Sequence, residues 1–174
     1  MLLKDLETMT IGDICICCMD TPGHTEDHVS YIVTHVTPTS TKIPLLFCAD
    51  TLFIAGCGRI LGGTYEQLFY SLQKLINLPS ETLVFCAHEY TLANLKFAKF
   101  VEPNNPMIDA KIRQCEQLRE KDEFTVGSKL AEERLYNPFI RCASEPYYKE
   151  LTGIEHDPIS IFSKIRKLKD DFKI

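Results

Sequence analysis

The chain has 174 residues, 45% of them hydrophobic and 25% charged, with a formal net charge of -5 and a pI near 5.5. That length fits one domain, or one plus a small appendage, and is enough to bury most of the apolar surface. The acidic balance excludes a general electrostatic attraction to nucleic acid or an anionic membrane, so any basic site is local.

Four segments read as strands in chain order: residues 13–19, 29–35, 44–49 and 82–87, each short and rich in apolar or β-branched side chains. Between the third and fourth, Thr64 and Gln67 form a T-x-x-Q capping box, and Leu68, Leu72, Leu75 and Ile76 recur at helical spacing. From Thr91 onward the pattern is helical only. Leu92, Leu95 and Ala98 mark one helix, Ile108, Ile112, Cys115 and Leu118 mark a second after Pro106, and Ser128 reads as the cap of a short third. The last helix has Asp157 as N-cap, Pro158 at its first position, and Ile161, Ile165, Leu168 and Phe172 along one face. The expectation is an α/β portion over residues 1–90 and an all-helical portion over residues 91–174.

Eight cysteines fit a disulfide framework only in a secreted protein. Nothing in MLLKDLETMTIGDICICC resembles a secretory leader, and no segment reaches transmembrane length. A cytoplasmic protein with reduced, mostly buried thiols is expected. Cys17 and Cys18 are consecutive strand residues that point to opposite faces, so they cannot both ligate one ion.

Three residues with metal-ligand side chains each follow a strand: His24 after the turn in TPGHTEDHVSYIV, Asp50 after PLLFCA, and His88 after TLVFCA. Carboxyl ends of neighbouring strands bring distant parts of a chain together, so the three can converge on one spot. Alone, each has a plainer reading, a packed histidine or an Asx-turn aspartate. Two imidazoles and a carboxylate suit zinc, and also iron or manganese. Such an ion makes hydroxide available at neutral pH for attack on a polarised carbonyl. His28 is a weaker candidate, packed beside the site or in its outer ring, while His35 and His156 read as surface residues.

TPGHTEDHVSYIV, ADTLFIAGCGRILGGT, VFCAHEYTLANLKFAKFVEP and LAEERLYNPFIRC resemble successive blocks of the hydroxyacylglutathione hydrolases (glyoxalase II), a branch of the metallo-β-lactamase superfamily. The resemblance implies part of an αββα sandwich followed by a helical substrate-binding region. It implies that His24 and His88 ligate one metal each, that Asp50 bridges them, and that the ions are two Zn2+ in an intact site. The implied substrate is the glutathione thioester S-D-lactoylglutathione, held by Arg59, Tyr90, Arg166 and Lys169. Arg166 and Lys169 are three residues apart on one helix face, a spacing that can clamp a carboxylate. With Lys164, Lys167 and Lys173 close by, a solvated basic face is the plainer reading of that pair.

Two departures from the family stand out. The T-H-x-H-x-D-H block, which supplies four more ligands, is absent, and Ile60 and Leu61 replace an aromatic-tyrosine pair after Arg59. The first departure predicts that one sheet of the sandwich is largely missing and that the remaining sheet exposes an apolar face prone to self-association or to a partner chain. The competing expectation is a catalytically incompetent form that binds glutathione conjugates or another protein.

Overall fold

The computed structural model describes residues 3–36 and 43–173. Its main sheet has six strands in the order β1-β2-β3-β4-β7-β8: β1 (Thr8–Ile11), β2 (Ile14–Asp20), β3 (Val29–His35), β4 (Leu45–Ala49), β7 (Leu83–Cys86) and β8 (Ser128–Lys129). The neighbouring pairs are antiparallel except β4 and β7, which run parallel. Parallel neighbours need a crossover connection, here containing α1 (Tyr65–Ile76). A two-stranded hairpin, β5 (Leu52–Phe53) and β6 (Gly56–Cys57), lies between β4 and α1.

The capping box predicted for α1 is present. Thr64 Oγ1 accepts from the Gln67 N–H, and Gln67 Oε1 accepts from the Thr64 N–H. The remaining helices are α2 (Thr91–Val101), α3 (Pro106–Glu120), α4 (Leu130–Tyr136), α5 (Pro138–Arg141), α6 (Pro146–Thr152) and α7 (Pro158–Asp171). As expected, Asp157 caps α7, its Oδ1 accepting from the N–H groups of Ile159 and Ser160.

Two expectations need correction. Residues after Thr91 are not helical only, because β8 returns to the sheet and pairs with β7. Ser128 therefore belongs to that strand and does not cap a helix. Its hydroxyl donates to Glu133, and the residue at the N-terminus of α4 is Lys129. Strand β1, four residues long, and the β5–β6 hairpin, with two residues per strand, are too short to stand out in the sequence.

One face of the main sheet contributes Met19, Leu46, Cys48 and Val84 to the core, which they share with Leu68, Leu72 and Leu75 of α1, Phe97 of α2, Phe139 of α5 and Phe162 of α7. The core thus spans both portions of the chain. On the opposite face the register aligns Tyr31, Phe47 and Phe85 across three strands. The rings of Phe47 and Phe85 stack at 5.4 Å, and Phe47 and Tyr31 are 44% and 38% exposed. Among the described residues this second face is thus apolar and partly exposed, as the sequence reading expects. All eight cysteines are unpaired thiols. No helix of the described residues is long and apolar enough to cross a membrane.

Candidate metal centre and adjoining pocket

His24, Asp50 and His88 converge at one end of the sheet, as the strand-end argument anticipates. Asp50 follows β4 immediately, after Ala49 has taken a left-handed backbone conformation (φ 42°). Its Oδ1 lies 3.3 Å from His88 Nε2, and its Oδ2 lies 3.9 Å from His24 Nε2. Each carboxylate oxygen is thus faced by one imidazole.

The His24 ring is oriented from behind. Its Nδ1 lies 2.9 Å from the Arg59 carbonyl oxygen, which can only accept, so Nδ1 carries a proton and Nε2 is the nitrogen turned toward Asp50. Close backbone approaches make this arrangement possible. A Cβ on Gly58 would stand 2.1 Å from the Asp50 carbonyl oxygen and 3.2 Å from His24 Nδ1. A Cβ on Gly23 would meet Leu68 at 2.4 Å, so the turn before His24 rests directly on α1.

His28 belongs to an outer ring. Its Nε2 accepts from the Asp50 backbone N–H at 3.3 Å, and its Nδ1 lies 2.9 Å from Thr51 Oγ1. Burial, with the charge of His24 next, lowers its pKa and favours the neutral ring. His88 is half-exposed and stacks on Tyr90 with ring centroids 5.0 Å apart. His156 is a surface residue as expected, beside Glu155, whereas His35 is partly buried in β3.

The donor types suit a divalent metal; the donor number does not complete a shell. A metal at either oxygen of Asp50 would receive one imidazole and one carboxylate from these residues, where three or four protein ligands are usual. Among the described residues no group of three or more His, Cys, Asp or Glu side chains is arranged to hold one ion.

All four residues assigned by resemblance to substrate binding line the same 660 Å³ cavity as His24, Asp50 and His88. Arg59 is largely exposed, with Nε 3.9 Å from Asp170 Oδ1. Arg166 is not a solvated surface cation. It is 3% exposed, donates to the Cys57 carbonyl (3.0 Å) and Asp170 (3.0 Å), and lies over the Phe139 ring. Its Nε is buried without a hydrogen-bond partner among the described residues. Lys169 donates to the Ala93 carbonyl at 3.3 Å and lies over Phe97 and Phe172. Burial, then the charges of Arg166 and Arg59, push its pKa down to about 8. Sequence reasoning missed Asp170, the carboxylate shared by both arginines; its i+4 spacing from Arg166 was the available signal.

Residues 89–172 match the family described as "Hydroxyacylglutathione hydrolase C-terminus". A relative from Hamiltonella defensa named hydroxyacylglutathione hydrolase is 43% identical over 171 residues, covering 98% of this chain and 65% of that protein. The chain belongs to the hydroxyacylglutathione hydrolase family. A hydroxyacylglutathione hydrolase-like protein of Gallus gallus is also 43% identical, over 96% of this chain and 58% of its own length. This hydroxyacylglutathione hydrolase-family chain therefore spans about two thirds or less of the curated relatives it matches. Among solved structures, a metallo-β-lactamase of Staphylococcus aureus superposes with a TM-score of 0.56 at 18% identity, over 97% of this chain and 43% of that one. ETHE1 from Myxococcus xanthus superposes with a TM-score of 0.53 at 22% identity, over 96% and 58%. These two establish the fold as part of a metallo-β-lactamase sandwich, and residues 89–172 match the family's C-terminal region.

Proposed function

We propose that this chain carries the substrate-binding region and part of the metal centre of a hydroxyacylglutathione hydrolase. The reaction is hydrolysis of S-D-lactoylglutathione to D-lactate and glutathione. The observation that carries this reading is one cavity lined both by His24, Asp50 and His88 and by Arg59, Arg166 and Lys169. A thioester carbonyl needs electrophilic activation and a water-derived nucleophile, whereas its glutathione part carries carboxylates that call for cations.

Asp50, His24 and His88 are the proposed metal ligands of this chain, for zinc, or for iron or manganese, with the other donors supplied from outside the described residues. Ions bound there supply Lewis acidity and lower the pKa of water toward neutrality. The chain's own residues do the positioning: Arg59 and Lys169 attract the peptide carboxylates, Arg166 sets the charge of the pocket floor, and Tyr90 flanks His88. The setting proposed is cytoplasmic, and residues 91–174 form the substrate-binding domain appended to residues 1–90.

The donor count favours a second reading, in which these 174 residues bind glutathione thioesters without turning them over. One experiment separates the two: metal content of the purified chain by elemental analysis, with thiol release from S-D-lactoylglutathione. Near-stoichiometric metal with turnover that Asp50→Ala abolishes supports the hydrolase. Metal-free protein without turnover that still binds S-hexylglutathione by calorimetry supports the binding module. Absence of all three overturns both.

A further inference from the structure

Glu133 and Asn137 lie in the helical portion, outside the metal-centre cavity, yet they hold the segment that carries two of its residues. Glu133 is 0% exposed, and four donors converge on its carboxylate. Oε1 accepts from the Ser128 and Tyr136 hydroxyls at 2.5 and 2.9 Å, and Oε2 accepts from the Ala55 N–H and Asn137 Nδ2 at 2.9 Å each. Asn137, also 0% exposed, directs Nδ2 to the carbonyls of Phe53 (3.2 Å) and Gly56 (3.1 Å). Asn94 of α2 donates to the Ile54 carbonyl at 3.1 Å.

Every residue from Phe53 to Gly56 is thus gripped through its backbone by one of three side chains from residues 94, 133 and 137. The grip holds Ala55 at φ 55°, a left-handed conformation that a residue with a Cβ adopts only against a steric penalty. It also leaves no slack, because a Cβ on Gly56 would stand 2.4 Å from Asn94 Nδ2. The hairpin so fixed leads back through Thr51 to Asp50 and forward through Gly58 to Arg59, whose carbonyl orients His24.

We infer that Glu133, with Asn137, is a positioning residue: a buried polar clamp by which the helical portion sets the location of Asp50 and the Arg59 carbonyl. The consequence for metal affinity rests on the metal-centre reading proposed above; the clamp itself does not. The chemistry makes a sharp distinction between two substitutions. The two donors at Oε1 are hydroxyls that can turn and accept, whereas those at Oε2 are N–H groups that cannot. Glutamine placed with its oxygen at Oε2 and its amide nitrogen at Oε1 satisfies all four partners. Alanine orphans every one of them.

Hydrogen–deuterium exchange on the whole chain tests the clamp without metal. Glu133→Ala is expected to speed exchange of the amides of residues 51–58 by about tenfold or more, while the β2–β3 amides hold their rates and Glu133→Gln stays within about threefold of the parent. Unchanged exchange in 51–58, a uniform rise over the whole chain, or a glutamine variant as loose as alanine would each overturn the clamp. If Glu133→Ala does not fold, Asn137→Asp places an acceptor against the Phe53 and Gly56 carbonyls and is expected to loosen the same segment; no local rise there overturns the clamp equally.

A Co2+ titration of the same proteins tests the positioning, with the alanine variant expected to bind about tenfold more weakly and the glutamine variant like the parent. Equal Co2+ affinity in parent and alanine variant overturns the positioning role. A parent that binds no Co2+ overturns the metal reading and leaves the clamp to be decided by exchange.

Discussion

His24 Nδ1 lies 2.9 Å from the carbonyl oxygen of Arg59, so the loop that bears the exposed cation of the pocket also sets the tautomer of a candidate ligand. The elements proposed to bind substrate and metal are therefore joined by one hydrogen bond. Gly58, next to Arg59, is where this joint is tightest. The variant Gly58→Ala places a methyl 2.1 Å from the Asp50 carbonyl oxygen. It is expected to cost about 1–3 kcal/mol of stability in urea denaturation and to weaken Co2+ binding. A variant as stable as the parent would show that the loop can move aside.

Lys169 gives the pocket a pH dependence. Its pKa, pushed down to about 8 by burial and by Arg166 and Arg59, means that it is cationic below pH 8 and neutral above. Affinity for a glutathione thioether is therefore expected to fall as pH rises from 7 to 9, and Lys169→Arg, which stays charged, is expected to flatten that profile. Calorimetry at three pH values measures it; an identical slope in both proteins would remove Lys169 as the titrating cation. The same shift affects folding with a defined sign. The unfolded chain keeps this proton up to about pH 10.5, so the lysine's contribution makes the native state relatively more stable as pH rises from about 8 to 10.5.

The capping box of α1 supports the turn before His24, because Leu68, on which Gly23 rests, lies on that helix's first turn. Thr64→Ala removes the acceptor for the Gln67 N–H and is expected to cost about 1 kcal/mol, lowering Tm by about 2–4 °C. Differential scanning calorimetry reads this, and an unchanged Tm would mean that the box contributes nothing.

The open sheet face calls for a cover. Concentration-dependent association in sedimentation is expected for the isolated chain, and Phe47→Lys, which breaks the Phe47–Phe85 stack, is expected to reduce it. A parent chain that stays monomeric at high concentration would show the face to be tolerated in water.

What was legible in the sequence was local. The Thr64–Gln67 box and the Asp157–Pro158 start need only neighbours within a turn, and both helices begin where those residues place them. Apolar runs marked β3, β4 and β7 for the same reason. Ser128 misled because its pairing partner, Val84, lies far away in the chain and two residues are too few to show alternation. Ala55 gave no sign of a turn, since alanine has no preference for the left-handed conformation it takes. Nothing local separates Glu133, fully buried, from half-exposed Glu132 beside it. Strand ends suggested that His24, Asp50 and His88 could meet, but only the strand order places β4 beside β7 and so sets His88 against Asp50.

The pairing of Ser128 and Lys129 with Val84 and Leu83 has a further consequence. Because β8 takes up the backbone groups along the outer side of β7, proteolytic removal of residues 91–174 would strip both the edge and the core partners from the residues left behind. The α/β and helical portions are thus expected to melt in one cooperative transition, as a single folding unit.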